Sequence, residues 1–112
     1  MSIVIGNGNI DIDDRKVRQS KNLIKDADYT ASNRDIIYCD TTNGAFTITL
    51  PESPSDFDWV KVIDYKASFD DNNLTVARNG SSIMGADEDL VIDTENASVM
   101  LSVIDGDWRI TN

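Results

Sequence analysis

The sequence contains no histidine and a single cysteine, Cys39. Without histidine there is no Ser-His-Asp or Cys-His relay, and the commonest general base and the commonest ligand of zinc, copper and iron are missing. A lone cysteine forms no disulfide within the chain, and we expect it to be a buried, unreactive thiol. Any catalysis would therefore depend on carboxylates, lysine or tyrosine.

Long apolar runs and an excess of basic residues are also missing. No stretch approaches the ~20 apolar residues that cross a bilayer, and the start of the chain lacks the basic residues of a signal peptide. Asp and Glu number 20 against 10 Lys and Arg, which gives a net charge of −10 and a pI of about 4.1. Such a charge repels a phosphate backbone. We therefore expect neither membrane insertion nor a nucleic-acid partner.

The charges that are present divide the chain into two parts. Residues 1–25 carry five basic and three acidic residues, a net charge of +2, whereas the remainder carries −12. The 112 residues suffice for one folded core. We therefore predict an N-terminal attachment arm over residues 1–25 and a β-domain over residues 26–112, because such asymmetry is typical of interaction arms. An ordinary solvated leader is the alternative.

The arm itself has little regular patterning. Asp13 or Asp14 is a suitable N-cap for a short helix, and Lys21 and Lys25 would lie favourably in its last turn. The apolar stripe of such a helix is thin, so we predict an extended strand followed by a helical turn or two. Isoleucines alternate with other residues at four positions of this extended part: Ile3, Ile5, Ile10 and Ile12.

The remainder of the chain has the pattern of short β-strands. Residues 45–50 alternate large apolar side chains with threonine, which predicts a half-buried strand ended by the prolines that follow. Turn signals of the hairpin type occur at Asn43-Gly44, Asn79-Gly80 and Asp105-Gly106. We predict an all-β fold, a small antiparallel sandwich or barrel-like domain, because short strands alternate with turns throughout. The other predicted strands are 35–40, 59–64, 74–77, 81–84, 90–92, 97–104 and 108–110.

Acidic residues suggest two kinds of site. An EF-hand starting at Asn9 is rejected, since Asp14 and Ser20 replace the glycine and the glutamate that this loop requires. Paired carboxylates could hydrolyse a glycosidic bond, although with so many aspartates some pairs lie close by chance. A different calcium site stays open beside the alternative of solvated turn carboxylates, and its ligands would come from Asp64, Asp70, Asp71, Asp87, Glu88 and Asp89. We predict no cofactor.

Three aromatic residues are candidates for contact with a ligand or a second subunit. Trp59 begins a predicted strand, Tyr65 follows that strand, and Phe69 precedes a cluster of turn residues. Exposed aromatic faces stack on sugars and anchor subunit contacts, whereas burial in the core is the alternative for each of them.

An ordered set of motifs resembles a module that recurs in phage tail-fibre and head-decoration proteins. The motifs are TTNGAFTITLPESP from residue 41, WVKVID from 59, NNLTVARNG from 72, EDLVIDT from 88 and DWRI from 107. The resemblance covers roughly residues 28–112. It implies a compact β-domain that commonly trimerises, is not an enzyme and lies on the outside of a virion. Pairing around a threefold axis would cover the sheet edges and extend the limited core of a small β-domain.

The length of the arm bears on which part of the virion is involved. If the chain is complete, as its initial Met suggests, about 25 residues are too few for a fibre shaft, and a capsid decoration or head-fibre protein is favoured. If the chain is a fragment, a tail-fibre module that binds a host surface glycan or protein is favoured. We expect the capsid surface, where the arm would contact the major capsid protein through Ile3, Ile5, Ile10, Ile12, Arg15, Lys16, Arg18 and Lys21.

Overall fold

The computed structural model describes residues 19–112, and all regular secondary structure in this range is β-strand. This confirms the predicted all-β class. Ten strands form a large sheet of six and a small sheet of four, which enclose one core. The strands are β1 Lys21–Lys25, β2 Tyr29–Thr30, β3 Asp35–Cys39, β4 Phe46–Thr49, β5 Trp59–Asp64, β6 Leu74–Ala77, β7 Ser82–Ile83, β8 Leu90–Ile92, β9 Ser98–Ile104 and β10 Asp107–Ile110.

The chain changes sheet after every strand from β1 to β9. The large sheet has the order β1-β3-β5-β9-β10-β7, and the small sheet has the order β2-β4-β6-β8. Because each return to a sheet is made from the same side, β1, β3 and β5 are parallel neighbours, and so are β2, β4 and β6. The first part of the fold is therefore a coil of parallel strands around a shared core.

The predicted antiparallel arrangement is wrong for most strand pairs. Antiparallel pairing occurs between β5 and β9, β6 and β8, and β9 and β10, whereas the other five pairs are parallel. The reason is that alternation in a sequence identifies a strand and its buried face but not its partner. Within residues 19–112, consecutive strands lie in different sheets except for β9 and β10, which form a hairpin.

Two of the predicted turns illustrate this difference. Asp105 and Gly106 have φ of 53° and 74° and join β9 to β10, as predicted for a two-residue hairpin turn. Asn79 and Gly80 have the same left-handed backbone, with φ of 52° and 92°, but they join β6 of the small sheet to β7 of the large sheet. The turn conformation was therefore predictable, and the pairing was not.

The core is filled by the inward-facing side chains of both sheets. Val60 and Val62 from the large sheet and Ile48 and Leu74 from the small sheet are fully buried, and so is Trp108. Burying an aliphatic or aromatic side chain of this size contributes about 1.5–3 kcal/mol. This core fixes the two sheets back to back and leaves the other face of each sheet toward the outside.

The C-terminal end of the predicted arm is part of the large sheet. Residues 21–25 form β1, which pairs in parallel with β3 so that Lys21 lies opposite Asp35. The helical turn expected near Lys21 and Lys25 is therefore a strand, because pairing with the apolar strand β3 outweighs weak helical patterning. No helix within residues 19–112 is long and apolar enough to span a membrane.

Candidate interaction surface

The outward-facing side chains of the large sheet form a mostly apolar surface. On β5, Val60 and Val62 point into the core, so Trp59, Lys61 and Ile63 point outward. The same alternation and the strand register define the outer face of β1, β3, β5 and β9. Seven of its eleven residues are apolar or aromatic: Asn22, Ile24, Ile36, Tyr38, Trp59, Lys61, Ile63, Ser98, Met100, Ser102 and Ile104. We call this set the outer face of the large sheet; the two remaining strands, β10 and β7, add the outward-facing residues Asp107, Arg109 and Ser82 beside it.

The small sheet differs from the large sheet in this respect. Its strand β4 alternates buried Phe46 and Ile48 with outward-facing Thr47 and Thr49, and β6 likewise places Thr75 outside. Such alternation is typical of a sheet with one solvated face, whereas strands covered on both faces are apolar throughout. By this comparison, the outward positions of β3 are those of a strand covered on both faces, and β5 and β9 each add two large apolar side chains to the same side.

Charge separates the outer face of the large sheet from the remainder of the surface. Of the 20 acidic residues in the chain, 17 lie within residues 19–112, yet none lies on this face of β1, β3, β5 or β9. The centre of a protein–protein interface typically has few charged residues and is enriched in aromatic residues and methionine. The surface therefore has the composition of an interaction site on an otherwise strongly acidic protein.

One end of this surface contains an open apolar pocket. The pocket has a volume of about 560 Å³ and is lined by Asn22, Leu23, Ile24, Tyr38 and Tyr65. The rings of Tyr38 and Tyr65 meet edge to face, with their centroids 6.2 Å apart and an interplanar angle of 79°, an arrangement that aromatic pairs favour. Ile24 is 69% exposed and Tyr65 is 42% exposed. The pocket therefore presents apolar and aromatic surface directly to the outside.

The opposite end of the surface presents Phe57 just before β5 begins. Phe57 is 74% exposed and has φ of 73°, a left-handed conformation that costs a residue with a side chain about 1–3 kcal/mol. Hydrogen bonds maintain it: the N–H of Phe57 donates to the carbonyl of Val103 at 2.7 Å, and the N–H of Val103 donates to the carbonyl of Asp58 at 3.0 Å. An exposed aromatic side chain is therefore presented by a well-fixed backbone.

Trp59, two residues further along, is half-buried on the same surface. The guanidinium of Arg34 lies 5.9 Å from the centre of its indole ring, within the range of a cation–π interaction. The Oδ1 atom of Asn33 accepts a hydrogen bond from the N–H of Trp59 at 2.9 Å. Both contacts come from the segment just before β3 and fix the position of Trp59.

A buried carboxylate fixes the turn that carries Tyr65. Oδ1 of Asp64 accepts a hydrogen bond from the N–H of Ser68, and Oδ2 accepts from the N–H groups of Phe69 and Asn96, each at 3.0 Å. Because the side chain of Asp64 is buried, these bonds compensate for the loss of water around its charge. The turn after β5 is thereby closed, and Tyr65 is placed beside Tyr38.

Asp35 and Cys39 are also buried, at opposite ends of β3. Oδ2 of Asp35 accepts hydrogen bonds from the hydroxyl of Tyr29 and the N–H of Ser32, both at 2.9 Å. The pKa of Tyr29 is raised, mostly by partial burial and to a smaller extent by its hydrogen bond to Asp35 and by the charge of Asp35. Burial, with a smaller effect of the Asp64 charge, raises the pKa of the Cys39 thiol to about 12. Cys39 is thus a buried, protonated thiol, as expected from the sequence.

The structure separates the three aromatic residues that the sequence suggested as contacts. Trp59 lies on the outer face of the large sheet, and Tyr65 lines the pocket at its end. Phe69 is instead fully buried, because Asp64 binds its N–H and draws the segment after β5 into the core. Phe69 therefore makes no surface contact in this structure.

The predicted arm residues are placed only in part. Lys21 lies in β1, where it pairs with Asp35. The others lie outside the described residues: Ile3, Ile5, Ile10, Ile12, Arg15, Lys16 and Arg18. Within residues 19–112, no three side chains of cysteine, aspartate or glutamate come together as a metal site would require, so the calcium alternative gains no support.

Several residues of the surface were missed from the sequence. Ile36 and Tyr38 carried a usable signal, because the run Ile36-Ile37-Tyr38 is apolar on both faces of a strand. Phe57 carried no local signal, since its backbone conformation depends on contacts with β9. A scan against protein-family models and a search of curated proteins gave no match to this chain.

Proposed function

We propose that this chain is a structural protein of a phage virion that acts by self-association and surface attachment and not by catalysis. The observation that supports the proposal is the outer face of the large sheet, which is mostly apolar and carries no carboxylate on β1, β3, β5 and β9, on a protein with a net charge of −10. An assembly protein requires such a surface. The phage assignment depends on the resemblance of the motifs in residues 28–112.

Self-association is the first part of the proposal. We expect a homotrimer, since the β-domain has little core and since the resemblance implies three subunits. Two copies of this acidic chain repel one another electrostatically, and within the described residues this repulsion is least at the outer face of the large sheet. Sedimentation equilibrium of the purified chain tests this: we expect three times the 12.4 kDa mass of one chain. A single-chain mass at all concentrations would contradict it.

Attachment to the capsid is the second part. We propose that the N-terminal arm binds the major capsid protein and leaves the acidic β-domain toward the solvent. Deletion of residues 1–18 is the appropriate test, because it leaves β1 and its pairing with β3 intact. We expect the truncated protein to keep its circular dichroism spectrum and melting temperature but to lose binding to isolated capsids. Unchanged capsid binding would refute the role of the arm.

A tail-fibre module that binds a host surface glycan or protein is the alternative function. The observation that favours it is the pocket beside Tyr38 and Tyr65, since exposed aromatic rings stack on sugars. This alternative predicts that the purified protein binds host cells and competes with infection, and that Tyr65→Ala weakens both effects. A copy number comparable with that of the major capsid protein would favour decoration, whereas a few copies per virion would favour a fibre.

A further inference from the structure

The two ends of the outer face of the large sheet carry different apolar features. One end presents Phe57 as an exposed aromatic side chain, and the other end contains the open pocket lined by Ile24, Tyr38 and Tyr65. We propose that Phe57 of one copy inserts into this pocket of a neighbouring copy, so that the chains associate head to tail. The inference rests on the self-association proposed above and is independent of the phage assignment.

Phe57 has the features of an interface anchor. Its left-handed backbone is maintained from both sides, since the N–H of Phe57 binds Val103 and the N–H of Asp105 binds Oδ1 of Asp56 at 2.9 Å. The segment before it is closed by a hydrogen bond from the N–H of Ser55 to Oδ2 of Asp58 at 3.0 Å. A rigidly presented aromatic side chain loses little conformational freedom on binding, which favours its use as an anchor.

The pocket is suited to an aromatic ring. A closed cavity of about 150 Å³ lined by apolar side chains is enough to bind benzene, and this open pocket, with a volume of about 560 Å³, has room for an aromatic ring. The rings of Tyr38 and Tyr65 already meet edge to face on one side of it, and a third ring completes such a cluster. The exposed side chain of Ile24 would lose its contact with water in the same step.

The charges next to the two ends also match. Phe57 lies between Asp56 and Asp58 in the chain, whereas pocket residue Tyr65 is followed by Lys66. The Nζ atom of Lys66 lies 5.5 Å from the centre of the Tyr65 ring, so the cation is close to the pocket. A neighbouring copy would therefore bring the two carboxylates beside Phe57 toward Lys66, which favours this partner over an uncharged one.

A single copy cannot make this contact with itself. Phe57 lies two residues before β5 and Tyr65 directly after it, and the six extended residues of this strand span about 17 Å at ~3.3 Å per residue. The contact joins different patches on the two copies, which makes it heterologous. Such contacts produce a closed ring when the rotation between copies closes and a filament when it does not. The trimer proposed above is a ring of this kind.

The contact can be tested with one variant for each end and a matched control. Phe57→Gly removes the ring and suits φ of 73°, because glycine adopts positive φ without steric cost. Ile24→Glu places a carboxylate in the pocket at a side chain that is already 69% exposed. Val91→Ser removes an apolar side chain that is 53% exposed on the outside of the small sheet and serves as the control. Circular dichroism establishes that each variant is folded.

Native mass as a function of concentration is the measurement. We expect Phe57→Gly and Ile24→Glu each to raise the dissociation constant by about 30-fold or more, and Val91→Ser to leave it unchanged. We also expect higher salt to weaken association of the unaltered chain. An equimolar mixture of the two variants should then form dimers of twice the 12.4 kDa chain mass, because one intact Phe57 meets one intact pocket.

The possible results separate the two proposals. If the unaltered chain is monomeric at all concentrations, self-association and this contact both fail. If the unaltered chain associates and Phe57→Gly associates equally well, the contact is wrong while self-association stands. If both variants are monomeric alone and their mixture stays monomeric, the head-to-tail geometry is wrong.

Discussion

Oδ2 of Asp64 accepts a hydrogen bond from the backbone N–H of Asn96 at 3.0 Å, which joins residues 32 positions apart in the chain. Asp64 ends β5, and Asn96 precedes β9, the antiparallel neighbour of β5 in the large sheet. The same carboxylate also closes the turn that carries Tyr65. One buried side chain thus connects the parallel coil, the antiparallel strands and the position of the pocket.

The first prediction concerns this carboxylate. Asp64→Asn replaces one acceptor oxygen with an NH2 group, so at least one of the three N–H groups loses its acceptor inside the protein. We expect the free energy of unfolding to fall by about 1–3 kcal/mol, the cost of leaving a buried polar group unpaired. Urea denaturation followed by circular dichroism measures the change. Asp93→Asn is the control, because Asp93 is exposed and should cost less than about 0.5 kcal/mol. Equal effects of the two substitutions would contradict this role for Asp64.

The second prediction concerns the reactivity of Cys39. Because the pKa of the buried thiol is raised from 9.0 to about 12, its thiolate fraction at pH 8 is lower by about three orders of magnitude. We expect an aromatic disulfide reagent to modify Cys39 at pH 8 only as fast as the protein unfolds, and at once in denaturant. The raised pKa also means that the contribution of Cys39 to stability is present below pH 9 and is lost as pH rises through 12. Rapid modification of the folded protein at pH 8 would show that the thiol is accessible.

The third prediction concerns the hydrogen bond from Tyr29 to Asp35. The pKa of Tyr29 is raised above its ordinary value of 10.0, so the folded state favours the protonated phenol. Its contribution to stability is therefore present below pH 10 and is lost as pH rises through the raised pKa. We expect Tyr29→Phe to be less stable than the unaltered chain at pH 9, and the difference to shrink by pH 11. Urea denaturation at both pH values measures the difference. A constant difference would exclude ionisation of Tyr29 as its source.

The position of each strand was largely predictable from the sequence. The alternation of Phe46 and Ile48 with threonine, for example, is a local pattern that depends on which side chains face the core. The partner of each strand was not predictable, because β4 pairs with β6 across 28 positions and no local pattern records that choice. Parallel returns of this kind depend on how the two sheets pack around the core as a whole.

The interaction surface was predictable to a smaller extent. Trp59 and Tyr65 were identified as candidates from their aromatic character, and both lie on or beside the outer face of the large sheet. Phe69 was named as a candidate beside the alternative of burial in the core, and the structure buries it with its N–H bound to Asp64. Phe57 was missed because its positive φ is imposed by β9 and contradicts the preference of its residue type. Tertiary contacts that oppose local preferences cannot be inferred from those preferences.

The last prediction compares the outer faces of the two sheets. Met100 lies opposite Lys61 near the centre of the outer face of the large sheet, and Thr75 lies between β4 and β8 on the outside of the small sheet. Both are half-buried and point away from the core. We expect Met100→Glu to convert the associated protein to single chains. The substitution places a carboxylate on the outer face of the large sheet, where β1, β3, β5 and β9 carry no carboxylate. Thr75→Glu should leave the native mass unchanged, since its face already has the pattern of a solvated surface. Each substitution should change the stability of the isolated domain by no more than about 0.5 kcal/mol. Sedimentation equilibrium measures the native mass of both variants. Dissociation caused by Thr75→Glu and not by Met100→Glu would show that the interface lies on the small sheet.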